Sequence, residues 1–471
     1  MDRLTAAAVA ELTGARLLGD PTATVGPAVV IDSRQATGGA LFVALPGEQV
    51  DGHDYVRAAA ERGAAAALVA REVGTDLPQL IVPDTLAGLT ELATGLVARA
   101  RRDGLQVVGI TGSSGKTSTK DLVAAVLRSA GPTVAPIGSF NNEVGVPLTA
   151  TGVDAGTRYL VSEMGARGGG HVAALCRITP PDVGVVINVG HAHLGEFGSV
   201  AAIAQAKGEL VEALAADGWA VLNAEDPNVI AMAARTRARI AGFGITGPPA
   251  AGELRVWAEQ VEADRLQRHS FLLCTDGGQA PVSLRVAGGH QVGNALAAAA
   301  VGLALGAPLD LAGIAAALSA AEPASRWRME LTERADGLLV VNDAYNANPD
   351  SMAAALRSLA GLRREGGRLI ALLGDMLELG ATAAEAHAEV GELAGRLGVD
   401  EVLAVGEFAE AIVAGARRRG ATATAVADRT AALAALADRV SPADVVLVKA
   451  SRGLALESVA QQLLAEKENQ A

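Results

Sequence analysis

The chain has 471 residues, and because a domain usually takes about 100 to 200 residues, this length predicts three domains. Lys and Arg number 39 against 52 Asp and Glu, giving a net charge of −13 without any long basic run, which argues against a nucleic-acid or anionic-membrane partner. Hydrophobic residues make up 50% but aromatic residues only 3%, so the cores must be built from aliphatic side chains, which suits α/β layers.

The apolar segments indicate neither a secretory signal peptide nor a membrane span. Glu11 and Arg16 interrupt the first apolar stretch, so it cannot act as a signal-peptide core. The most apolar tract, residues 295–305, is well short of the roughly 20 residues that a membrane span needs. Cys176 and Cys274 are isolated and far apart, which argues against a disulfide framework and fits a reducing compartment. We therefore expect a cytoplasmic protein without a membrane span, with both cysteines buried.

The first hundred residues predict a small α/β domain. Short apolar strands are expected at 40–45 and 66–69, with an Ala-rich helix at 55–62 and a longer one beginning near Leu86. Asp103-Gly104 ends that longer helix. The first domain is therefore expected to cover residues 1–103.

The second domain is expected to cover residues 104–322. An apolar strand at 105–110 runs into a glycine loop and a helix, and strands at 159–162, 183–188 and 220–222 then alternate with helices. This alternation predicts a mostly parallel sheet. A more polar, β-like stretch at 254–286 follows, before a helix that we expect after Asn294.

A third, Rossmann-like domain is expected over residues 323–471. A Pro-containing segment at 321–325 is typical of a linker. Beyond it, each of the strands expected at 338–341, 369–373, 401–405 and 445–448 is followed by a helix, the pattern of a doubly wound sheet.

The strongest chemical signal is a glycine-rich loop between the first strand and first helix of the second domain. Its residues are Gly112, Ser113, Ser114, Gly115, Lys116, Thr117 and Ser118. In such a loop the backbone amides wrap phosphate oxygens, the lysine reaches the outer phosphates and the threonine hydroxyl binds magnesium. The loop departs from the strict P-loop pattern, because Ile110 stands where the first glycine belongs. An ordinary Gly-rich turn is the alternative.

Three further positions suggest a metal or phosphate site near this loop. Glu163 follows an apolar strand, at the end where α/β sheets bind ligands, although a surface Glu could also stand there. One of the histidines His191 and His193 could contact magnesium or phosphate, or could simply pack or cap. Lys207 shares a helical apolar stripe with Val200, Ile203, Leu210 and Leu214. A buried lysine is costly, so Lys207 is a site candidate unless it snorkels to solvent.

The loop Thr-Gly-Ser-x-Gly-Lys-Thr resembles that of the Mur ligases and their relative, folylpolyglutamate synthetase. In that family a Glu, a His and a carbamylated Lys bind a second magnesium ion, and Glu163, His193 and Lys207 match those motifs. The resemblance therefore implies ATP, two Mg²⁺ ions and a carbamylated Lys207. It makes Lys116, Lys207, His193 and Arg328 the implied catalytic residues.

Other motifs extend the resemblance along the chain. The segment 289–294 resembles the adenine-side motif, in which Gln291 departs from the usual Asn and Asn294 matches. Arg328 matches an arginine that reaches the terminal phosphate, and Asp343 matches the aspartate on the ribose side of the nucleotide. Lys-Ala-Ser-Arg at 449–452 differs by one residue from the family's Lys-Gly-Ser-Arg.

The segments 141–147, 343–349 and 374–380 resemble the MurF type in particular, and the N-terminal Asp-Ser-Arg resembles the UDP-sugar domain that the MurE and MurF types share. Alone, Asp-Ser-Arg is more often a turn with a solvated arginine. The substrate-binding residues that the resemblance implies are Ser33, Arg34, Gly47, Asp51, His53, Asn141, Asn142, Tyr345, Asn346 and Asn348.

The resemblance implies a ligase that uses ATP to add D-alanyl-D-alanine to a UDP-N-acetylmuramoyl tripeptide through an acyl phosphate, in cytoplasmic peptidoglycan precursor synthesis. The alternative within the family is the MurE type, which adds a single amino acid to a UDP-muramoyl dipeptide. A P-loop switch or motor and a non-catalytic scaffold are the alternatives outside it. We expect a monomer.

Overall fold

The structure is a computed structural model that describes residues 1–47, 49–192, 194–437 and 439–465, so His193 lies outside the described residues. Three separate large sheets follow one another along the chain, each with its own helices. The three-domain α/β architecture predicted from the sequence is confirmed. The described helices include none that is long and apolar enough to cross a membrane.

The N-terminal unit is a small α/β layer. Its strands are β1 (Leu4–Thr5), β2 (Arg16–Leu18), β3 (Thr24–Val25), β4 (Val29–Val30), β5 (Leu41–Val43), β6 (Ala66–Val69) and β7 (Gln79–Ile81). Its helices are α1 (Ala6–Thr13), α2 (Val56–Glu61) and α3 (Thr85–Arg102). The main sheet has the order β2-β7-β6-β5-β4. Asp84 caps α3 by accepting from the amides of Leu86 and Ala87, which fixes where this long helix begins.

The middle unit is built on a nine-stranded sheet of order β16-β15-β14-β13-β12-β11-β8-β10-β9. Its strands are β8 (Gln106–Thr111), β9 (Thr133–Val134), β10 (Tyr159–Glu163), β11 (Val183–Val186), β12 (Trp219–Asn223), β13 (Arg239–Gly244), β14 (Leu254–Ala263), β15 (Arg268–Thr275) and β16 (Gly278–Ala287). Its helices are α4 (Lys116–Ala130), α5 (Gly145–Ala150), α6 (His171–Ile178), α7 (Leu194–Phe197), α8 (Val200–Glu212), α9 (Pro227–Ile230), α10 (His290–Ala304) and α11 (Leu311–Ala320). The sheet is parallel up to β14, and β14 to β16 form an antiparallel extension.

The start of α10 corrects one expectation. This helix begins at His290 and contains Asn294 in its second turn, whereas the sequence suggested a helix only after Asn294. An asparagine inside a helix is tolerated when its amide is engaged elsewhere. Here Asn294 Oδ1 accepts from Thr119 Oγ1 at 3.0 Å and its Nδ2 donates to Gln291 Oε1 at 2.9 Å.

The C-terminal unit has a six-stranded sheet of order β17-β18-β22-β19-β20-β21, parallel except for the edge strand β17. Its strands are β17 (Glu330–Glu333), β18 (Leu339–Asn342), β19 (Leu369–Gly374), β20 (Glu401–Val405), β21 (Thr422–Val426) and β22 (Val445–Lys449). Its helices are α12 (Pro349–Gly361), α13 (Ala383–Arg396), α14 (Ala409–Arg418), α15 (Arg429–Ala437) and α16 (Glu457–Ala465). The two edge strands β17 and β21 were not expected from the sequence, because partly exposed edges lack a continuous apolar run.

The last strand, β22, lies in the middle of the C-terminal sheet, hydrogen-bonded to β18 on one side and β19 on the other. The free cysteines Cys176 and Cys274 are both buried, as expected.

Candidate active site

A cavity of about 930 Å³ separates the P-loop of the middle unit from the start of the C-terminal unit. Its walls contain most of the residues that the sequence singled out. These are Ser113, Ser114, Gly115, Lys116, Thr117, Ser118, Asn141, Asn142, Glu163, Asn294, Arg328, Asp343, Tyr345, Asn346 and Asn348. The fold therefore gathers residues from two units around one space, at the carboxyl ends of the middle unit's parallel strands.

The loop itself turns at Gly115, whose φ of +80° favours glycine and whose added Cβ would lie 3.0 Å from Asn294 Oδ1. Asn188, at the end of the neighbouring strand, accepts from the amides of Ser113 at 3.1 Å and Ser114 at 2.9 Å. Asn188 and Asn294 thus brace the loop from two sides. The sequence offered no distinct signal for this use of Asn188, because its amide reaches a loop 74 residues away.

Lys116 begins α4 and donates from Nζ to the carbonyl of Gly112 at 2.7 Å. Burial lowers the pKa of Lys116, Glu163 opposes that shift, and the charge of Arg328 adds to it. The lysine therefore lies close enough to both residues to interact electrostatically. Lys116 thus lies within electrostatic reach of a buried carboxylate of its own unit and of a cation of the C-terminal unit.

Glu163 is completely buried at the end of β10. Its Oε2 accepts from Thr117 Oγ1 at 2.9 Å, and its Oε1 accepts from Ser139 Oγ and Asn141 Nδ2, both at 2.7 Å. No described residue forms a salt bridge with it. A buried carboxylate without a salt bridge, beside the hydroxyls of Thr117 and Ser139, has the oxygen-donor chemistry that Mg²⁺ prefers. Ser139 was missed because no motif marks it.

Lys207 lies on α8 and is only 3% exposed, in agreement with the apolar stripe in the sequence. Burial lowers its pKa well below the usual value, and the nearby charge of Lys116 lowers it further. No carboxylate among the described residues pairs with it. The side chain does not line the cavity wall itself, but it lies within electrostatic reach of Lys116.

Arg328 has an unusual backbone setting. Both of its neighbours, Trp327 and Met329, have positive φ angles, +59° and +49°, which are strained for residues with side chains. The guanidinium stacks on Tyr345, with Cζ 4.1 Å from the ring centre, and Nε is buried without a hydrogen-bond partner among the described residues. The strain and the stacking together hold this arginine at the cavity.

Asp343 is held by a buried ion pair. Lys449 Nζ lies 2.6 Å from Asp343 Oδ2 and also donates to the carbonyl of Asn346 at 3.0 Å, while Asp343 Oδ1 accepts from the amide of Met329 at 3.0 Å. Lys449 is only 2% exposed. Its role was missed, although a lysine that ends the apolar strand β22 was the available signal.

His290, at the first position of α10, also lines the cavity. Burial lowers its pKa, and its Nδ1 is buried without a hydrogen-bond partner in the described part of the chain.

The asparagines on the walls act partly as helix caps. Asn142 Oδ1 accepts from the amide of Gly145 at the start of α5, and Asn348 Oδ1 accepts from that of Ser351 in α12.

The five N-terminal candidates Ser33, Arg34, Gly47, Asp51 and His53, all described, are not among the cavity walls. Arg34 is exposed and binds Asp32, holding the pKa of Asp32 at about 2.

His53 is buried and has both ring nitrogens engaged: Nδ1 faces Asp51 Oδ1 at 2.6 Å and Nε2 accepts from the amide of Ala70 at 2.8 Å. The ring nitrogens of His53 therefore support this loop.

Comparison with known proteins identifies the family. The Mur ligase middle domain matches residues 110–302, the glutamate ligase domain of Mur ligases matches 327–452, and the family's catalytic domain matches 28–95. A UDP-N-acetylmuramoyl-tripeptide–D-alanyl-D-alanine ligase of Mycobacterium tuberculosis is 45% identical over 99% of this chain and 98% of its own. The enzyme of that name from Escherichia coli is 37% identical over 93% of each chain.

Solved structures agree. A crystal structure of MurF from Acinetobacter baumannii has a TM-score of 0.86 at 31% identity and covers 99% of both chains. MurF of Thermotoga maritima, solved in complex with ADP, has a TM-score of 0.77 at 30% identity and covers 94% of this chain and 98% of its own. The chain therefore belongs to the Mur ligase family and, within it, to the MurF type.

Proposed function

We propose that this protein is an ATP-dependent ligase that joins D-alanyl-D-alanine to a UDP-N-acetylmuramoyl tripeptide during peptidoglycan precursor synthesis. One observation carries the proposal: a P-loop faces Arg328 and Asp343 across a single cavity, in a chain that matches ligases of this name along nearly its whole length. The single-amino-acid ligases are less similar. A structure of a UDP-N-acetylmuramoyl-L-alanyl-D-glutamate–2,6-diaminopimelate ligase is 18% identical and shares the fold alone.

The reaction has two steps. A carboxylate of the tripeptide attacks the γ-phosphorus of ATP, so that ADP leaves and an acyl phosphate forms. The amine of the dipeptide then attacks the acyl carbon, phosphate leaves, and the amine proton is released. The first step brings two anions together and the second develops negative charge on the leaving phosphate, and Lys116 and Arg328 stabilise the charge on the phosphoryl group. The protein's main contribution is to hold the reactants in line.

Magnesium fits the residues beside the loop. Thr117 and Glu163 supply a hydroxyl and a buried carboxylate 2.9 Å apart, and His193 and Lys207 complete the proposed set for two ions. Bound there, the metal would offset phosphate charge during transfer. Lys207 is proposed to act as a carbamate: its neutral amine adds to the carbon of CO₂ and loses a proton, which converts a repulsive cation into an anionic ligand. The lowered pKa of Lys207 supports this proposal because it favours the neutral amine.

We assign residues 1–103 to the UDP-sugar, 104–322 to ATP and 323–471 to the ribose side of the nucleotide and the incoming amine. Ser33, Arg34, Gly47, Asp51 and His53 are the proposed UDP-sugar residues, Asn294 is placed on the adenine side, and Asn141, Asn142, Tyr345, Asn346 and Asn348 are proposed for the peptide substrates. The free thiols of Cys176 and Cys274 and the use of ATP support a cytoplasmic location. Cavity walls that a single chain supplies from two of its units support a monomer.

Phosphate release from ATP tests the proposal directly. It should require both a UDP-muramoyl tripeptide and D-alanyl-D-alanine, and should be absent with either substrate alone. Turnover of a single amino acid on a UDP-muramoyl dipeptide, with none on D-alanyl-D-alanine, would assign the protein to the MurE type. ATP hydrolysis that ignores both acceptors would indicate a P-loop switch or motor.

A further inference from the structure

A second arginine of the C-terminal unit, Arg452, is mounted in the cavity wall much as Arg328 is. Its Cζ lies 4.3 Å from the ring centre of Trp327, and its Nη1 donates to Glu457 Oε1 at 2.8 Å. The side chain is 52% exposed and lines the cavity. A guanidinium has five N–H donors in its plane, and the hydrogen bond to Glu457 uses one of them, while the contact with Trp327 is made by the face. Arg452 therefore presents a fixed, partly unused cation to the cavity.

An apolar side chain accompanies this cation. Leu377 is 49% exposed and belongs to the same wall. Ser451 joins the two loops: its amide donates to the carbonyl of Asp375 at 3.0 Å, and its Oγ accepts from the amide of Leu377 at 3.0 Å. The spacing between an exposed leucine and an arginine is thus fixed by hydrogen bonds. Such a pair suits a short peptide with a small apolar side chain and a free carboxylate.

We propose that Arg452 binds the C-terminal carboxylate of the incoming dipeptide and that Leu377 contacts its terminal methyl group. This assignment rests on the proposed function and adds the residues that select the amine substrate. The other cations of the walls have different neighbours. Lys449 is paired with Asp343, and Arg328 interacts with Lys116 beside the P-loop. Arg167 belongs to the middle unit, where its charge acts on Glu196.

The test compares D-alanyl-D-alanine with its C-terminal carboxamide, which lacks the negative charge, in the wild type and in Arg452→Gln. The wild type should lose about 10- to 100-fold in kcat/KM on the carboxamide, the scale of one hydrogen-bonded charge. Arg452→Gln should lose a similar factor on the acid and show almost no further loss on the carboxamide. KM for ATP and for the UDP-muramoyl tripeptide should stay unchanged.

Two variants serve as matched controls. Arg326 also lies near Trp327, with its Cζ 5.7 Å from the ring centre, but it is absent from the cavity walls. Arg326→Gln should therefore keep the full penalty, meaning the wild-type loss of kcat/KM on the carboxamide. Glu457→Gln removes the ion pair and leaves the guanidinium, so it too should keep the penalty. If Arg452→Gln retains the wild-type penalty, or if Arg167→Gln abolishes it instead, the assignment is wrong.

A second measurement covers the case in which Arg452→Gln does not fold. Leu377→Glu changes an exposed side chain and places a carboxylate next to the proposed site. It should therefore lower kcat/KM for D-alanyl-D-alanine about tenfold more than kcat/KM for its carboxamide. An equal fall in kcat/KM for both substrates would contradict the proposal that the dipeptide carboxylate binds beside Leu377. A wild-type enzyme that turns over neither dipeptide would overturn the proposed function, and this assignment with it.

Discussion

The middle unit meets its two neighbours in different ways. Towards the N-terminal unit, α3 buries Leu89, Leu92 and Leu96 in one apolar cluster that continues into Val146 and Leu175 of the middle unit. Towards the C-terminal unit, the clusters are built from that unit's own residues, with Leu266 packing at their edge. A continuous apolar core resists separation, whereas small polar interfaces permit relative motion.

Hydrogen bonds from loops and helix ends cross the second junction. The amide of His191 donates to Asp350 Oδ2 at 2.8 Å, that of Gly195 donates to the carbonyl of Glu378 at 3.1 Å, and Gln267 Nε2 donates to the carbonyl of Gly361 at 3.1 Å. The active-site cavity lies along this junction. We infer that the N-terminal junction supplies stability, and that the C-terminal junction supplies an adjustable site.

The largest effect on the adjustable side should come from Lys116→Ala. We expect ligation to fall at least about 1,000-fold, because a cation at the outer phosphates is lost where charge develops. Thermal unfolding should be nearly unchanged, since the lysine makes one hydrogen bond to its own loop. Arg128→Ala, at the exposed end of the same helix, should leave phosphate release intact. Near-normal ligation by Lys116→Ala would remove the P-loop from the mechanism.

On the stable side, Leu92→Ala should act through folding alone. Leu92 is fully buried, so the truncation should lower the free energy of unfolding by about 2 to 5 kcal/mol. Urea unfolding measures this loss, and kcat per folded molecule should stay at the wild-type value. A loss of kcat without a loss of stability would mean that this junction also moves during the reaction.

Lys207→Ala should reduce turnover about 100-fold or more, the scale on which loss of one charge-stabilising group slows an enzyme. Acetate should restore part of the activity by replacing the missing carboxylate, and removal of bicarbonate should slow the wild type. Unchanged turnover of Lys207→Met would contradict the carbamate.

Lys207 also has a pH signature in folding. Its pKa is lowered in the folded state, so between that value and the ordinary one the unfolded chain binds more protons, and stability rises with pH. In bicarbonate-free buffer without magnesium, Lys207→Met should therefore be more stable than the wild type at neutral pH, and the difference should shrink towards the ordinary lysine pKa. Urea titrations at several pH values measure it, and a pH-independent difference would contradict the burial of a neutral amine.

The smallest effect should come from Asp350→Ala. Asp350 accepts from the amide of His191 and lies 3.5 Å from its Nδ1, and loss of these exposed contacts between the two units should lower kcat about two- to tenfold, with a stability change below about 1 kcal/mol. Asp350→Asn keeps an acceptor for the same amide and should lie near the wild type. A stability loss as large as that of Leu92→Ala would remove the distinction between the two junctions.

Local sequence patterns were sufficient to predict part of the fold and of the candidate site. The strand, loop and helix around Lys116, and the burial of Lys207, follow from periodicity and glycine placement within a few residues. The contacts of Ser139 with Glu163 and of Lys449 with Asp343 join segments 24 and 106 residues apart, and no local pattern encodes them. The positive φ angles beside Arg328 were equally unreadable, because tryptophan and methionine do not signal that conformation.

The central place of the last strand has a consequence for how the protein is made. Because β22 pairs with both β18 and β19, the C-terminal sheet stays split until residues 445–449 have left the ribosome. The same strand delivers Lys449 to Asp343 and, just beyond it, Arg452 to the cavity. A chain released before β22 is made would thus contain the P-loop but would lack part of the C-terminal side of the cavity. Prematurely ended copies should therefore be poor consumers of ATP, which spares the cell futile hydrolysis by incomplete products.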